Sequence, residues 1–137
     1  MREILFRGKR VDNGEWAESE YPYGTMSCGV VRHNFNHDTI GQFTGLTDSN
    51  GVKIFEGDIL RYVPKYGAPI IGIVVFGDYR YPADKIAFHR GFNIKWTSEP
   101  SPRPELGYWA IKQLVEVIGN IYDNPEMLGG QSNENNS

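Results

Sequence analysis

Turn-forming residues interrupt this chain about every ten residues, and that spacing is what most limits the fold. The clearest turns are Asp12-Asn13-Gly14, Asp48-Ser49-Asn50-Gly51 and Glu56-Gly57-Asp58. The 137 residues include 16 glycines and 8 prolines. Glycine adopts positive φ angles at no steric cost and proline interrupts helices, so both favour tight turns over long helices. The pattern predicts short strands joined by reversals of the chain.

The apolar runs between these turns predict the strands. Asp12-Asn13-Gly14 predicts a first hairpin between Ile4–Val11 and Glu15–Ala17. Phe92, Ile94 and Trp96 alternate with Asn93 and Lys95, which places the three apolar side chains on a core face. Gly72, inside an apolar run, indicates a bulge or a close approach of two backbones. Further strands are predicted at Val52–Phe55, Ile59–Val63, Ile70–Phe76 and Leu114–Tyr122.

The remaining segments are less regular. Thr25–Thr39 is polar and is interpreted as a loop around a short strand at Gly29–Val31. Three prolines make Glu99–Glu105 an extended connector that we expect to stay out of any ladder. Leu114–Tyr122 fits a helix or a strand, and its β-branched residues favour the strand. A single helical turn is predicted at Pro125–Leu128.

The size of the chain suits one domain, because about 150 residues bury roughly two-thirds of their unfolded surface on folding. We therefore expect a single β-rich domain over residues 1–128. It should be mainly antiparallel, a small, partly open barrel that is SH3-like or related, with one or two short helical turns. Residues 129–137 are Gly, Asn, Ser and other polar types, and are predicted to form a disordered tail.

Charge and cysteine content narrow the cellular setting. The formal net charge of −3 argues against a chain that coats nucleic acid or anionic lipid through overall charge. Cys28 is the only cysteine, so no intramolecular disulfide can form, and charges interrupt the apolar stretch at the amino terminus. No apolar run approaches the roughly 18 residues that span a bilayer. The prediction is residence in the cytoplasm, with no membrane partner.

Three sequence blocks carry a family resemblance. They are Gln42–Asp48, Asn50–Ile59 and Val115–Glu126, and the opening Met1–Gly8 fits with them. Together they resemble the YopX family of bacteriophage and prophage proteins. The resemblance implies an intracellular, phage-encoded, mostly β protein without an assigned activity, working in a bacterial host. It supplies no catalytic residues to transfer.

A zinc site is one interpretation of the polar loop. Cys28, His33, His37 and Asp38 offer a thiolate, two imidazoles and a carboxylate. A single cysteine and this spacing match none of the closed structural zinc signatures, so polar loop residues are the better interpretation. We predict no metal and no cofactor.

A calcium loop starting at Asp48 fails on its pattern. Val52 and Lys53 stand where an oxygen ligand and glycine are needed, and Ile59 replaces the closing glutamate.

Catalytic patterns are weak as well. The chain has no Gly-x-Ser-x-Gly elbow and no phosphate-binding loop that ends in Lys-Ser/Thr. Glu56 and Asp58 lie in what looks like an exposed turn, where a carboxylate pKa is rarely raised. His89 and Arg90 could act with Asp78 or Asp84, but we interpret them as turn residues in solvent. The prediction is a protein that is not an enzyme.

The strongest binding signal is the interval Arg61–Trp96, where six cations and two acids give a local charge of +4 among many aromatic residues. Aromatic rings beside cations can stack on unpaired bases and contact phosphates. The alternative is that the apolar rings are core and the cations lie on several faces, and we prefer it. The residues of the nucleic-acid hypothesis are Arg61, Tyr62, Lys65, Tyr66, Tyr79, Arg80, Tyr81, Lys85 and Arg90.

Short strands also expose edges to which another chain can add. The N-terminal hairpin and the strand after the proline connector are the candidate edges. The function predicted from the sequence is a non-enzymatic phage or prophage binding or assembly protein, whose partner is a second copy or a phage or host protein. A single-stranded nucleic-acid binder is the alternative.

Overall fold

The structure is a computed structural model, and it describes residues 4–81 and 89–128. In these ranges the protein is mainly β. The strands are β1 (Phe6–Lys9), β2 (Trp16–Ser19), β3 (Gly24–Ser27), β4 (Val30–Asn34), β5 (Gly41–Thr47), β6 (Lys53–Phe55), β7 (Asp58–Tyr62), β8 (Ile70–Tyr79), β9 (His89–Trp96) and β10 (Val115–Asn120). A 3₁₀ turn occupies His37–Thr39, and helix α1 occupies Leu106–Ile111.

The predicted fold class is confirmed. All the pairings described below are antiparallel, and the helical segments are short. Within the described ranges the strands form open sheets and do not close into a barrel. The chain groups into two compact units, Met1–Gly45 and Leu46–Ser137.

The first unit is built on the predicted N-terminal hairpin. Lys9 lies opposite Trp16 across the Asp12-Asn13-Gly14 turn, and Gly14 has a φ of 74°. β1 also pairs with β5, with Arg7 opposite Gly41. The buried apolar side chains are few. Phe35 packs against Gly8 so closely that a methyl group on Gly8 would lie 2.6 Å from the Phe35 ring.

The polar loop predicted at Thr25–Thr39 is wrong over most of its length. The segment is a second hairpin, β3–β4, followed by the 3₁₀ turn. Ser27 lies opposite Val30, so Cys28 and Gly29 form a two-residue turn with φ angles of 52° and 76°. Two positive φ angles match the twist of a hairpin, and a cysteine at such a position gives little sequence signal.

The second unit is organised around a four-stranded sheet in the order β10-β7-β8-β9. One face of this sheet packs against α1, and the core contains Leu60, Val74, Ile94 and Trp109. The core face predicted for Ile94 and Trp96 is confirmed. The bulge or close approach of two backbones expected at Gly72 is not found: the register there is regular, and a methyl group would meet a side chain, 2.4 Å from Cγ2 of Ile94.

Two further expectations about the second unit are wrong. The proline connector does join the sheet, because the carbonyl of Pro104 accepts from the Ile94 N–H at 2.8 Å and Glu105 bridges to Asn93. Proline lacks an N–H but keeps its carbonyl oxygen, so it can still accept. Asp58 is not in an exposed turn: it is buried, and its Oδ2 accepts from the Phe55 N–H at 2.7 Å.

The structure contains the helical turn predicted near the end of the chain and one helix that was not predicted. Backbone helix is present at Glu126–Leu128, inside the predicted turn. The Asn124 side chain does not cap it, and accepts from the Asn120 N–H instead. Helix α1 was not predicted, and its N-cap residue Glu105 makes no side-chain capping bond. The predicted tail, residues 129–137, lies outside the described residues.

Candidate functional site

A cluster of aromatic and charged side chains lies at the end of β8 and β9. Tyr79 stacks on His89, with ring centroids 5.3 Å apart and an interplanar angle of 25°. Tyr81 meets both rings edge-on. The two strands place Tyr79 directly opposite His89, so the register of the sheet creates the stack.

The proline connector supplies the charges of this cluster. The Arg103 carbonyl accepts from the indole N–H groups of Trp96 and Trp109, each at 2.9 Å, which fixes the connector against the core. The Arg103 guanidinium then lies over the rings of Tyr81 and Tyr108, at 5.6 Å and 4.3 Å from their centroids. It also pairs with Glu105.

A short hydrogen bond dominates the electrostatics. The Tyr81 hydroxyl donates to Glu105 at 2.5 Å, which holds the pKa of Glu105 below its ordinary value; Arg103 acts in the same direction. The same bond raises the pKa of Tyr81, because ionising the phenol would place two negative charges together. Burial raises the pKa of Tyr79, and the Glu105 charge adds to it.

Beside this cluster lies a pocket of about 360 Å³, within the range of small-ligand sites. Its charged and aromatic lining comes from both strands and includes Tyr79, Arg80 and Lys95. Asn93 lines it as a buried amide, and its Nδ2 donates to Gly91 O at 3.1 Å. The rest of the lining is Asp78, Ile94, Trp96, Ser101, Pro102 and Pro104.

The nine residues of the nucleic-acid hypothesis are not all brought together. Tyr79, Arg80 and Tyr81 meet at the end of β8. Arg61 instead pairs with Glu116 at 3.1 Å, and Arg90 with Asp78 at 2.9 Å.

The other four of the nine lie away from this group or outside the described residues. Tyr62 packs on Trp109 with ring centroids 4.8 Å apart, which makes it part of the core wall. Lys65 lies over the ring of Tyr66, which is 83% exposed. Lys85 lies outside the described residues.

Sequence reasoning missed the part that Arg103 and Glu105 play. They stand in a proline-rich stretch with no periodicity, and only the tertiary contact with β9 brings them to Tyr81.

The suggested zinc ligands occupy separate places in the first unit. Cys28 is exposed at the tip of the β3–β4 hairpin, while His33 Nδ1 lies 2.9 Å from Thr25 Oγ1. His37 belongs to the 3₁₀ turn and contacts the Tyr23 ring. Over residues 4–81 and 89–128, no three His, Cys, Asp or Glu side chains are grouped to hold one ion.

A second candidate site is formed by the β3–β4 hairpin. The two strands make a sheet of their own, so each has an edge without a neighbouring strand in the described ranges. Met26, Val30 and Val31 are 43%, 52% and 37% exposed. A cleft of about 510 Å³ adjoins the hairpin, lined by Glu18, Ser19, Glu20, Tyr21, Thr25 and Met26.

These features define the chain as a small, mainly β protein with exposed strand edges and a polar pocket. The sequence profile of the YopX protein family matches residues 8–129, which is most of the chain. The protein belongs to the YopX family, as the resemblance predicted. No helix in the described ranges is long and apolar enough to cross a membrane.

Two known proteins are similar to this chain. The crystal structure of protein EF1440 from Enterococcus faecalis superposes with a TM-score of 0.51 at 25% sequence identity, covering 93% of this chain and 99% of that one. The vacuolar membrane protease of Neurospora crassa is 30% identical over 95 residues. That match covers 64% of this chain and only 9% of the protease.

Proposed function

We propose that this YopX-family protein is a non-enzymatic binding or assembly protein of a phage or prophage, acting in the bacterial cytoplasm. The phage setting rests on the family resemblance, and the cytoplasmic setting on the lone cysteine. The observation that carries the binding role is the β3–β4 hairpin with its exposed apolar side chains.

Leaving the apolar side chains of the β3–β4 hairpin in water is unfavourable in free energy. Val30 and Val31 are consecutive, so their side chains point to opposite faces of the strand, and both are exposed. A two-stranded hairpin is marginal by itself in water. The Asn34 end of β4 accepts a hydrogen bond from the Val11 N–H, and the edge at Val30 and Val31, with its apolar side chains, matches the surface to which an extended partner segment adds as a third strand.

The adjoining cleft indicates the chemistry of the partner. Glu18 and Glu20 bring negative charge to a wall that also contains the apolar side chain of Met26. An extended segment with alternating basic and apolar residues would pair its cations with the glutamates and cover the hairpin with its other side chains. The partner we propose is therefore a basic, apolar strand of a phage or host protein.

Defined peptides test this proposal. A fluorescein-labelled peptide that alternates Lys with Val is compared with one that alternates Glu with Val, by fluorescence anisotropy at low salt. We expect the basic peptide to bind and the acidic peptide not to bind. The Glu18→Gln, Glu20→Gln double variant should lower the affinity about tenfold, as should Val31→Pro, which interrupts an edge strand.

The matched control is Tyr66→Ala, an exposed aromatic residue of the other unit, which should bind like the parent. Equal binding of both peptides, or no effect of the hairpin variants, would contradict the proposal. Light scattering on the same samples separates partner binding from self-association. If the parent protein forms dimers and Val31→Pro does not, the hairpin binds a second copy of this chain and not a different protein.

A further inference from the structure

One end of the four-stranded sheet in the second unit exposes several large apolar side chains. Tyr66, Ile111, Val63 and Leu114 are 83%, 75%, 58% and 38% exposed. They come from two short segments, the β7–β8 loop at residues 63–69 and the end of α1 with the turn that leads to β10, at residues 111–114. Single exposed apolar residues are ordinary on a protein surface, whereas a group of them at one place indicates a contact surface.

The fold brings these two segments to the same end of the sheet. Tyr62 lies opposite Val115 at the end of the β7–β10 ladder. Val63 and Leu114 are the next residues outward, so they leave the ladder side by side. The ring of Tyr62 packs on Trp109 with centroids 4.8 Å apart, which places the last part of α1 beside the end of β7. The Leu114 N–H donates to the Trp109 carbonyl at 3.0 Å and holds the turn after α1 there.

Two lysines accompany the apolar side chains. Lys65 and Lys112 are exposed, and neither has an ion pair among the described residues. Their ammonium groups lie 5.7 Å from the ring centroid of Tyr66 and 5.6 Å from that of Tyr108, respectively. Residues 62–70 and 106–115 contain no Asp or Glu. The surface is therefore apolar and positive, and we call it the end patch: Val63, Lys65, Tyr66, Ile111, Lys112 and Leu114.

We propose that the end patch docks on an anionic lipid surface, with its apolar side chains below the headgroups and its two lysines against the lipid phosphates. This site goes beyond the proposed protein-binding role and lies in the other unit of the chain. The sequence predicted no membrane partner because it lacks a run of roughly 18 apolar residues, but binding at the surface needs no spanning segment. The cytoplasmic face of a membrane carries the negative charge that the lysines would meet.

The residue types of the end patch favour lipid over a protein strand as the partner. The patch consists of a loop and a helix end, and neither is a strand edge that a partner segment could extend. A tyrosine ring has an apolar body and a polar tip, which suits it to the level of the headgroups. A lysine side chain can lie along apolar surface with its stem while its ammonium group reaches the phosphates.

The formal net charge of −3 does not oppose this contact, because the acidic residues nearest the end patch in sequence are paired or lie farther along the sheet. Glu116 pairs with Arg61 at 3.1 Å, and Glu105 with Arg103 at 3.1 Å. Glu99 follows β9, which β8 separates from β7. At 0.1 M salt, exposed charges more than about 10 Å from the lipid are largely screened.

Vesicle binding tests the proposal with the full chain. Vesicles of phosphatidylcholine alone are compared with vesicles in which roughly a third of the lipid is phosphatidylglycerol, by co-sedimentation at two salt concentrations. We expect binding to the anionic vesicles, weaker at high salt, and little binding to phosphatidylcholine. In a Tyr66→Trp variant, the tryptophan emission should shift to shorter wavelength only with the anionic vesicles, because the ring enters an apolar environment.

Matched variants tie the binding to the end patch. The Lys65→Gln, Lys112→Gln double variant should bind more than tenfold more weakly, since each lysine near an anionic surface changes affinity about fivefold. The Tyr66→Ser, Ile111→Ser double variant should lose about tenfold through the missing apolar contact. The controls are Lys95→Gln, an exposed cation on β9, and Val30→Ser, an exposed valine of the first unit, and both should bind like the parent. Circular dichroism verifies that each variant is folded.

Three results would overturn the proposal. The first is that the parent protein does not bind the anionic vesicles, which would leave the end patch as a surface for a protein. The second is equal binding to both kinds of vesicle. The third is that the two double variants, both folded, bind as tightly as the parent. Val31→Pro in the hairpin should bind vesicles like the parent, so the lipid site and the protein-binding role can fail separately.

Discussion

The two units of this protein differ in how far the edges of their sheets are covered. In the second unit, β10 is an edge strand, yet Asp48 accepts from its Val117 N–H and Ser49 donates to its Val115 carbonyl. The other edge strand, β9, is covered by the connector through Pro104. In the first unit, the Val11 N–H donates to the Asn34 carbonyl at one end of β4, and no described strand lies beside Val30 and Val31.

The units also differ in how they bury apolar side chains. The second unit has one continuous core, with Leu60, Ile54 and Val74 at 0% exposure. The first unit buries Leu5, Phe35 and Phe43 while its second hairpin keeps its valines in solvent. Covered sheet edges and a continuous core contribute to stability, whereas a partly uncovered edge is the kind of surface to which another strand can add.

The largest expected effect comes from emptying the core of the second unit. Leu60→Ala removes a fully buried side chain, and the cavity should lower the free energy of unfolding by about 2–5 kcal/mol. Urea denaturation followed by tryptophan fluorescence measures it. Val31→Ala on the exposed hairpin is the counterpart and should change stability by less than about 0.5 kcal/mol. Similar losses in both variants would remove the contrast between the units.

A slightly smaller effect should follow from opening the β10 edge. The Asp48 carboxylate is buried and accepts from the N–H groups of Asn50, Val52 and Val117, each at 2.8 Å. Asp48→Ala leaves those donors without that acceptor, and we expect a loss of about 2–3 kcal/mol in thermal or urea unfolding. Asp38→Ala, at an exposed position, should stay near the parent. A stability unchanged by Asp48→Ala would show that the edge needs no cover.

Two glycines on β8 provide a matched pair. Gly72→Ala places a methyl group 2.4 Å from Ile94 Cγ2 and 2.9 Å from the Trp96 ring, so overpacking should cost about 1–3 kcal/mol. Gly77→Ala meets nothing within 4 Å and should be neutral or slightly stabilising. Melting temperatures of the two variants, measured side by side, give the difference. Equal melting temperatures would mean that β8 and β9 pack less closely than described.

The smallest effect concerns pH. The pKa of Glu105 is lowered in the folded protein, so this carboxylate stabilises the fold above its ordinary pKa of 4.5, and that contribution disappears as pH falls through the lower folded value. Tyr81→Phe removes the hydrogen bond that is the main cause of the shift. We expect the variant to lose less stability than the parent when unfolding is measured from pH 6 down to pH 3. Parallel curves for parent and variant would show that the bond does not stabilise the carboxylate.

Local patterns in the sequence predicted the strands well where turn chemistry and alternation agree. Asp12-Asn13-Gly14 placed the first hairpin, and the alternation of Ile94 and Trp96 with their polar neighbours placed the core face. Gly72 was interpreted as a bulge or a close approach of two backbones, but the atoms closest to it belong to side chains, and Ile94, whose side chain is nearest, is 22 positions away in the sequence.

The missed features depend on contacts between distant segments. The sequence around Asp48 gives no sign that its carboxylate binds the edge of β10. The prolines around Arg103 predicted a connector outside the sheet, whereas in the fold this connector packs against the core and the edge of β9. The sequence did not indicate the β3–β4 hairpin, because its turn has a cysteine at a positive φ angle. Among the predicted binding residues, strand alternation places Arg61 and Tyr62 on opposite faces of the sheet. The residues that do lie close together are Tyr79, Arg80 and Tyr81, at the end of β8.

Hydrogen exchange of the backbone amides tests the contrast between the two units most directly. The protein should show slow exchange at Leu60, Val74 and their neighbours in β7 and β8, and fast exchange at Val31 and Arg32 in β4. Addition of the basic peptide should slow exchange in β4 and leave β7 and β8 unchanged. Equal protection of β4 and β8 in the free protein, or a peptide-induced change confined to the second unit, would contradict this account.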